Sequence, residues 1–215
     1  MNEDSLRRET LRTARAMMEQ GLVRGTWGNV SCRIPGEEGL ILITPSGMEY
    51  SVLGPDDLVV IDRQGQLAAG KWKPSTESPL HAALYEARSD VGAIVHTHSV
   101  YATSFAVAGR PIPAITEEIA QVIGGPVEVA PYAACGTQEL AEAAVNYLGR
   151  RGAVMLAKHG LVGVGKDLSE ALLACVIAEK TAEIAVMARI LGGYNELTPK
   201  EVLSLRDTYL NKYGQ

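Results

Sequence analysis

A single α/β/α sandwich built on a mixed, largely antiparallel central sheet is the fold this sequence predicts. Three observations lead there. Apolar runs of strand length come in clusters between amphipathic helical segments, not in the strict alternation of a doubly wound sheet. The 215-residue length suits one domain, residues 1–215, and an apolar share of 47% can bury a sizeable core. Aromatic residues make up only 5% of the chain against 22 glycines, so that core is built from Ala, Val, Leu and Ile with close backbone approaches.

Ser5 to Gln20 reads as an amphipathic helix with Leu6, Leu11, Ala14, Met17 and Met18 on one face, ended by Gly21. Strand-like runs follow at Val30 to Ile34, Leu40 to Thr44 and Leu58 to Asp62, the last closed by an Arg63-Gln64-Gly65 turn. From Ser75 to Arg88 the period becomes helical, with Ser75 or Thr76 as the N-cap and Glu77 in the first turn. Val91 to His98 reads as a strand that passes into a helix over Val100 to Ala108. A short helix at Glu117 to Ile123, a short strand at Val127 to Ala130 and a helix over Thr137 to Leu148 come next. Ala153 to Val164 is strand-like around Lys158-His159-Gly160. Asp167 and Glu170 have capping-box spacing ahead of a helix from Ala171 to Leu191, which Gly192-Gly193 stops, and Pro199 to Lys212 forms the last helix.

Composition narrows the function classes. A net charge of −5 and a pI near 5.4 lack the basic field that a general nucleic-acid surface needs. No apolar run approaches the ~20 residues of a membrane helix. The N-terminal MNEDSLRRETLRTARAMMEQ is charged, without a signal core, so a cytoplasmic protein is expected. Cys32, Cys135 and Cys175 form no CxxC pair and read as ordinary buried thiols of a reduced compartment.

Four histidines carry the chemistry: His81, His96, His98 and His159. His96-Thr97-His98 ends the apolar strand VGAIVHTH, and residues i and i+2 of a strand point to one face. Two imidazoles so placed suit one divalent metal. His159, in VMLAKHG, supplies a third, and three imidazoles fit a catalytic zinc site with an open position, with Mn2+ or Co2+ as alternatives. Glu77, in PSTES at a helix start, is placed to complete the metal shell or to act as general base. His81, one turn on, reads as a supporting or core residue. Gly25-Thr26-Trp27-Gly28-Asn29, Thr44-Pro45-Ser46-Gly47 and Ser75-Thr76 offer hydroxyls and backbone N–H groups to an anion, which points to a small phosphorylated substrate.

GTWGNVS, TPSGMEY, KPSTES, VHTHS, APYAACGTQEL, KHGLVGVGKDLSEAL and the terminal KYG together resemble, in order, the class II sugar-phosphate aldolases of the aldolase/adducin superfamily. The resemblance is strongest to the L-fuculose-1-phosphate aldolase branch and covers nearly the whole chain. It implies a zinc-dependent α/β/α homotetramer with active sites at subunit boundaries. It implies His96, His98 and His159 as metal ligands, with Glu77 as resting ligand and proton-transfer base. Phosphate recognition falls on Thr26, Gly28, Asn29, Ser46, Gly47, Ser75 and Thr76, and Tyr213 matches a C-terminal tyrosine that reaches a neighbouring subunit. The stretch ITEEIA departs from the pattern by placing Glu117 where the aldolase carries a proton-donating tyrosine. The expected reaction is reversible cleavage of a ketose 1-phosphate to dihydroxyacetone phosphate and an aldehyde. L-ribulose-5-phosphate 4-epimerisation and methylthioribulose-1-phosphate dehydration are alternatives on the same scaffold, and an adducin-like assembly module is the non-enzymatic one.

Overall fold

The computed structural model describes residues 3–212. Its centre is an eight-stranded sheet in the order β4-β3-β2-β1-β5-β8-β7-β6. These strands are β1 (Asn29–Arg33), β2 (Ile41–Ile43), β3 (Val59–Ile61), β4 (Leu67–Ala69), β5 (Ala93–Thr97), β6 (Val129–Ala130), β7 (Ala153–Leu156) and β8 (Gly160–Gly165). Every pairing is antiparallel except β6 with β7, so the sheet is mixed and largely antiparallel, as the clustering of apolar runs predicts.

The strands are apolar on both faces, and alternate residues enter two separate cores. Val30, Cys32, Ala93, Val95 and Met155 pack with α1 (Glu3–Glu19), α3 (Val100–Ala108) and α5 (Leu168–Ile190). Ile41, Ile43, Ile94, Val154 and Val162 pack with α2 (Ser78–Ala87) and α4 (Gln138–Leu148). Two helical layers around one sheet result. α6 (Pro199–Lys212) docks on the first side, where Val202 is buried.

Four local expectations change. The helix predicted from Ser75 begins at Ser78, with Glu77 as its N-cap and Pro79 in the first turn. Ser75 and Thr76 remain in the preceding turn, because Ser78 Oγ and N both bond the Ser75 carbonyl. The run Ala153 to Val164 is a hairpin of two strands, and its turn at residues 157–159 holds Lys158 at φ 59°. The turn lacks the Gly or Asn that marks such a conformation in sequence. β4 carries no strand signal, since Leu67-Ala68-Ala69 is exposed and unbranched. The short helix before β6 is π-helical over Ile119–Ile123.

Candidate metal centre and substrate cleft

Register brings the pieces together. Asn29 of β1 pairs with His96 of β5, which pairs in turn with Val162 of β8. The β7–β8 turn therefore delivers His159 to the end of β5, and α2 begins at Glu77 above the same spot. His98 follows β5 directly. The helix after it is held from behind, because Glu179 of α5 accepts the first amides of α3 from Tyr101 and Ala102, at 2.9 and 2.8 Å. This carboxylate does what the Ser99 side chain does not, since Ser99 makes no capping bond.

The three histidine rings stand edge to face, with centroids 4.8 to 4.9 Å apart. One nitrogen from each lies within 4.8 Å of the others. His96 Nδ1 donates to the Leu161 carbonyl at 3.0 Å, which turns Nε2 to the centre, where a ring with no second proton offers it as an acceptor. That nitrogen stands 2.9 Å from His98 Nε2 and 3.0 Å from Glu77 Oε2. A bare acceptor against a carboxylate at this distance is repulsive, and a cation shared between them removes the repulsion. Glu77 Oε1 is buried without a hydrogen-bond partner, 3.5 Å from His159 Nε2. On this geometry the residues fit a divalent metal.

The charge states agree with that fit. Burial, with the neighbouring His96 and His159, pushes the His98 ring down to about 3, and burial with His96 lowers His159 as well. Neutral rings have the lone pairs a metal takes. Burial by itself raises the Glu77 carboxyl, whereas positive charge placed at the His96–His159 cluster, together with the Asn29 amide, holds it well below the usual carboxylate range. A metal cation in the same place acts in the same direction.

A cleft of about 80 Å³ opens beside this cluster. All seven residues of the predicted cradle line it: Thr26, Gly28, Asn29, Ser46, Gly47, Ser75 and Thr76. Glu77, His98 and His159 line it too. The cradle is fixed by backbone bonds, Ser46 N to the Lys73 carbonyl at 2.9 Å and Ser75 N to the Thr44 carbonyl at 3.3 Å. Trp27 lies at the mouth, 65% exposed, with its ring 5.5 Å from that of His98. A larger hollow of about 630 Å³ between α2 and α4 contains none of these groups, and its lining of Arg63, Pro79, Glu86 and Gln138 offers no comparable convergence.

Glu117 is exposed and does not line the cleft. Tyr213 lies outside the described residues. His81 is fully buried next to the site, hydrogen-bonded to Asn29 and Ser31. Cys135 corrects an expectation. Cys32 and Cys175 are buried as predicted, but Cys135 is exposed and lines the cleft, 3.9 Å from Thr76 Oγ1. Its sulfur, a Glu77 oxygen and a His159 nitrogen lie within 4.8 Å of one another. Partial burial and the Glu77 carboxylate raise its pKa, so it faces the cleft as a thiol. Its place two residues before the Thr137 helix cap was the available signal, since chain just ahead of a cap is loop.

No helix among the described residues is long and apolar enough to cross a membrane. Residues 8–186 match the model of the class II aldolase and adducin N-terminal domain. The chain is 37% identical over 210 residues to a 5-deoxy-D-ribulose 1-phosphate aldolase of Bacillus thuringiensis serovar kurstaki, covering 97% of each. It is 40% identical over 179 residues to a 5-methylthioribulose-1-phosphate/5-deoxyribulose-1-phosphate aldolase of Rhodospirillum rubrum, covering 83% of this chain and 79% of the other. Among solved structures, an L-fuculose 1-phosphate aldolase superposes with a TM-score of 0.91 at 34% identity, over 96% of both chains. With an eight-stranded mixed sheet, a three-histidine cluster and near-complete coverage in agreement, the chain belongs to the class II aldolase and adducin family, whose aldolases are enzymes of sugar phosphates.

Proposed function

We propose that this protein is a zinc-dependent aldolase that reversibly cleaves a ketose 1-phosphate to dihydroxyacetone phosphate and an aldehyde. The observation that carries the reading is the position of Glu77. Its carboxylate joins the histidine cluster to the hydroxyl-lined cleft, and one of its oxygens is buried without a partner. The relatives' names support the substrate class, since all three act on ketose 1-phosphates and differ at the far end of the sugar.

Cleavage between C3 and C4 of such a sugar leaves a carbanion next to a carbonyl. His96, His98 and His159 would hold the metal, with Glu77 as resting ligand, and a bound divalent ion supplies Lewis-acid stabilisation of negative charge on the substrate oxygens. Every other task falls to the chain. Thr26, Ser46, Ser75 and Thr76 hydroxyls, the Asn29 amide and the backbone at Gly28 and Gly47 bind the phosphate and orient the reacting carbons. Glu77 Oε1 moves the proton at the carbon that becomes the hydroxymethyl end of dihydroxyacetone phosphate. The cleft is narrow and water is excluded from Glu77, which is 3% exposed.

Proton delivery to the aldehyde oxygen is assigned to a neighbouring subunit of a homotetramer, through Tyr213. The exposure of Glu117, outside its own protomer's cleft, supports a place for it at the same boundary. A substrate panel tests the whole reading. Purified zinc-loaded protein is given L-fuculose 1-phosphate, 5-deoxyribulose 1-phosphate and L-ribulose 5-phosphate, and dihydroxyacetone phosphate is measured. Release from the 1-phosphates supports the aldolase, whereas epimer formation from the 5-phosphate alone, or no turnover of any, contradicts it.

A further inference from the structure

Behind Glu77 runs a chain of buried polar groups, of which Tyr85, Ser31 and His81 take no part in metal binding or in the phosphate cradle. Glu77, His81 and Tyr85 follow each other at four-residue spacing down α2, and Asn29 and Ser31 face them from alternate positions of β1. All five are buried, between 0% and 4% exposed. Tyr85 Oη lies 2.9 Å from Ser31 Oγ, and Ser31 Oγ lies 2.6 Å from His81 Nδ1. His81 Nε2 is 2.5 Å from Asn29 Oδ1, and Asn29 Nδ2 is 2.9 Å from Glu77 Oε2.

The chemistry of each group fixes the direction of every bond. An ionised carboxylate only accepts, so the Asn29 amide must turn its NH2 to Glu77 and its oxygen to His81. That oxygen also only accepts, so His81 donates from Nε2. The ring is fully buried between two uncharged partners, Asn29 and Ser31, so it takes the neutral form, which leaves Nδ1 bare to accept the Ser31 hydroxyl. Ser31 in turn accepts from the Tyr85 hydroxyl, whose proton burial makes hard to remove. Four donors point one way, toward Glu77 Oε2, and each polarises the next.

We propose that Tyr85, Ser31 and His81 are positioning residues which, through Asn29, pin Glu77 by Oε2 and so reserve Oε1 for the proton of the substrate. The inference rests on the reading of Glu77 as the base. Asn29 alone could turn its amide over, and its carbonyl would then face the carboxylate. The His81 Nε2 proton forbids that turn. The arrangement also makes the two Glu77 oxygens unequal: Oε2 has the Asn29 donor, and Oε1 has none.

The test combines a tautomer measurement with proton exchange. In 15N-histidine-labelled protein, with and without zinc, His81 should show a protonated Nε2 and a bare Nδ1. A ring protonated at Nδ1 would overturn the proposal. Exchange of the dihydroxyacetone phosphate proton with deuterated water should fall roughly two- to tenfold in Tyr85→Phe, the worth of one hydrogen bond. In His81→Leu it should fall roughly 10- to 100-fold, as for supporting groups of metal sites, with KM and zinc content nearly unchanged. His81→Gln, which can donate to Asn29 and accept from Ser31, should recover most of the rate. Wild-type exchange in a folded His81→Leu, with exchange abolished in Glu77→Gln, removes the positioning chain and keeps the base. Wild-type exchange in Glu77→Gln removes the base assignment itself. If His81→Leu does not fold, Tyr85→Phe and the tautomer of the wild type decide the matter.

Discussion

Gly28 packs directly against the backbone of His96. A Cβ on Gly28 would stand 2.6 Å from the His96 carbonyl oxygen and 2.7 Å from Val23 Cγ1, and the residue holds φ at +79°. The cradle loop and the metal strand are thus in contact through a residue without a side chain, and a change in one must move the other.

Gly28→Ala should therefore cost more than the strain of a left-handed alanine. Gly36 is the control, with φ +84° and open space where its Cβ would be. Gly36→Ala should lose about 1 kcal/mol, and Gly28→Ala about 2–4 kcal/mol with weakened zinc retention. Urea midpoints and metal analysis of the two variants check this. Equal losses with equal zinc would mean that the contact has no bearing on the site.

His98→Ala should release the metal. The ring provides one of three converging nitrogens, and no fourth imidazole can replace it, because both nitrogens of His81 are occupied. Zinc content after dialysis and turnover should fall together. Full zinc and full turnover in this variant would mean that the cluster is not the metal site.

Acid stability follows from the buried rings. The folded-state pKa of His81 is pushed down to about 3 by burial, far below the ordinary value near 6.5. Between those values the unfolded chain takes up a proton that the folded chain refuses, so stability falls as pH drops through that window and is fully present above it. The slope from this one group is at most about 1.4 kcal/mol per pH unit. Zinc-free His81→Gln should lose less stability than zinc-free wild type between pH 6.5 and 4.5, the upper part of the window, before the lowered Glu77 carboxyl adds its own loss. Denaturation midpoints at several pH values provide the measurement, and parallel curves for the two proteins would contradict it.

Thr76 is an exposed hydroxyl of the cradle, next to Cys135 at its lip. Thr76→Ala should raise KM for a ketose 1-phosphate by roughly three- to tenfold and leave kcat nearly unchanged, as for a lost ground-state hydrogen bond. The unphosphorylated ketose should not feel the substitution. A fall in kcat without a change in KM would place Thr76 elsewhere in the reaction.

Much of the site could be read from sequence because it depends on short-range rules. His96 and His98 share a face by the two-residue period of a strand, and the Asp167–Glu170 spacing gives the cap that begins α5. What could not be read depends on distant contacts. Asn29 and Glu77 are 48 residues apart, so a Gly-Thr-Trp-Gly-Asn run points to an anion cradle but not to an amide that bridges a carboxylate and a histidine. The hairpin that brings His159 to β5 turns at Lys158 without a glycine or asparagine there, so the strand-like run Ala153 to Val164 carries no local sign of where it reverses. The Thr137 cap marks Cys135 as loop, but that this loop folds back over Thr76 and brings the thiol to the cleft is a tertiary contact that the local sequence does not specify.

The proton-transfer role of Glu77 is the claim on which the rest depends, and the exchange of dihydroxyacetone phosphate in deuterated water tests it most directly. Glu77→Gln keeps the shape of the side chain but cannot take a proton. We expect zinc to be retained at near wild-type level while exchange falls by roughly 10²–10⁴. Exchange at the wild-type rate in zinc-loaded Glu77→Gln would contradict the account.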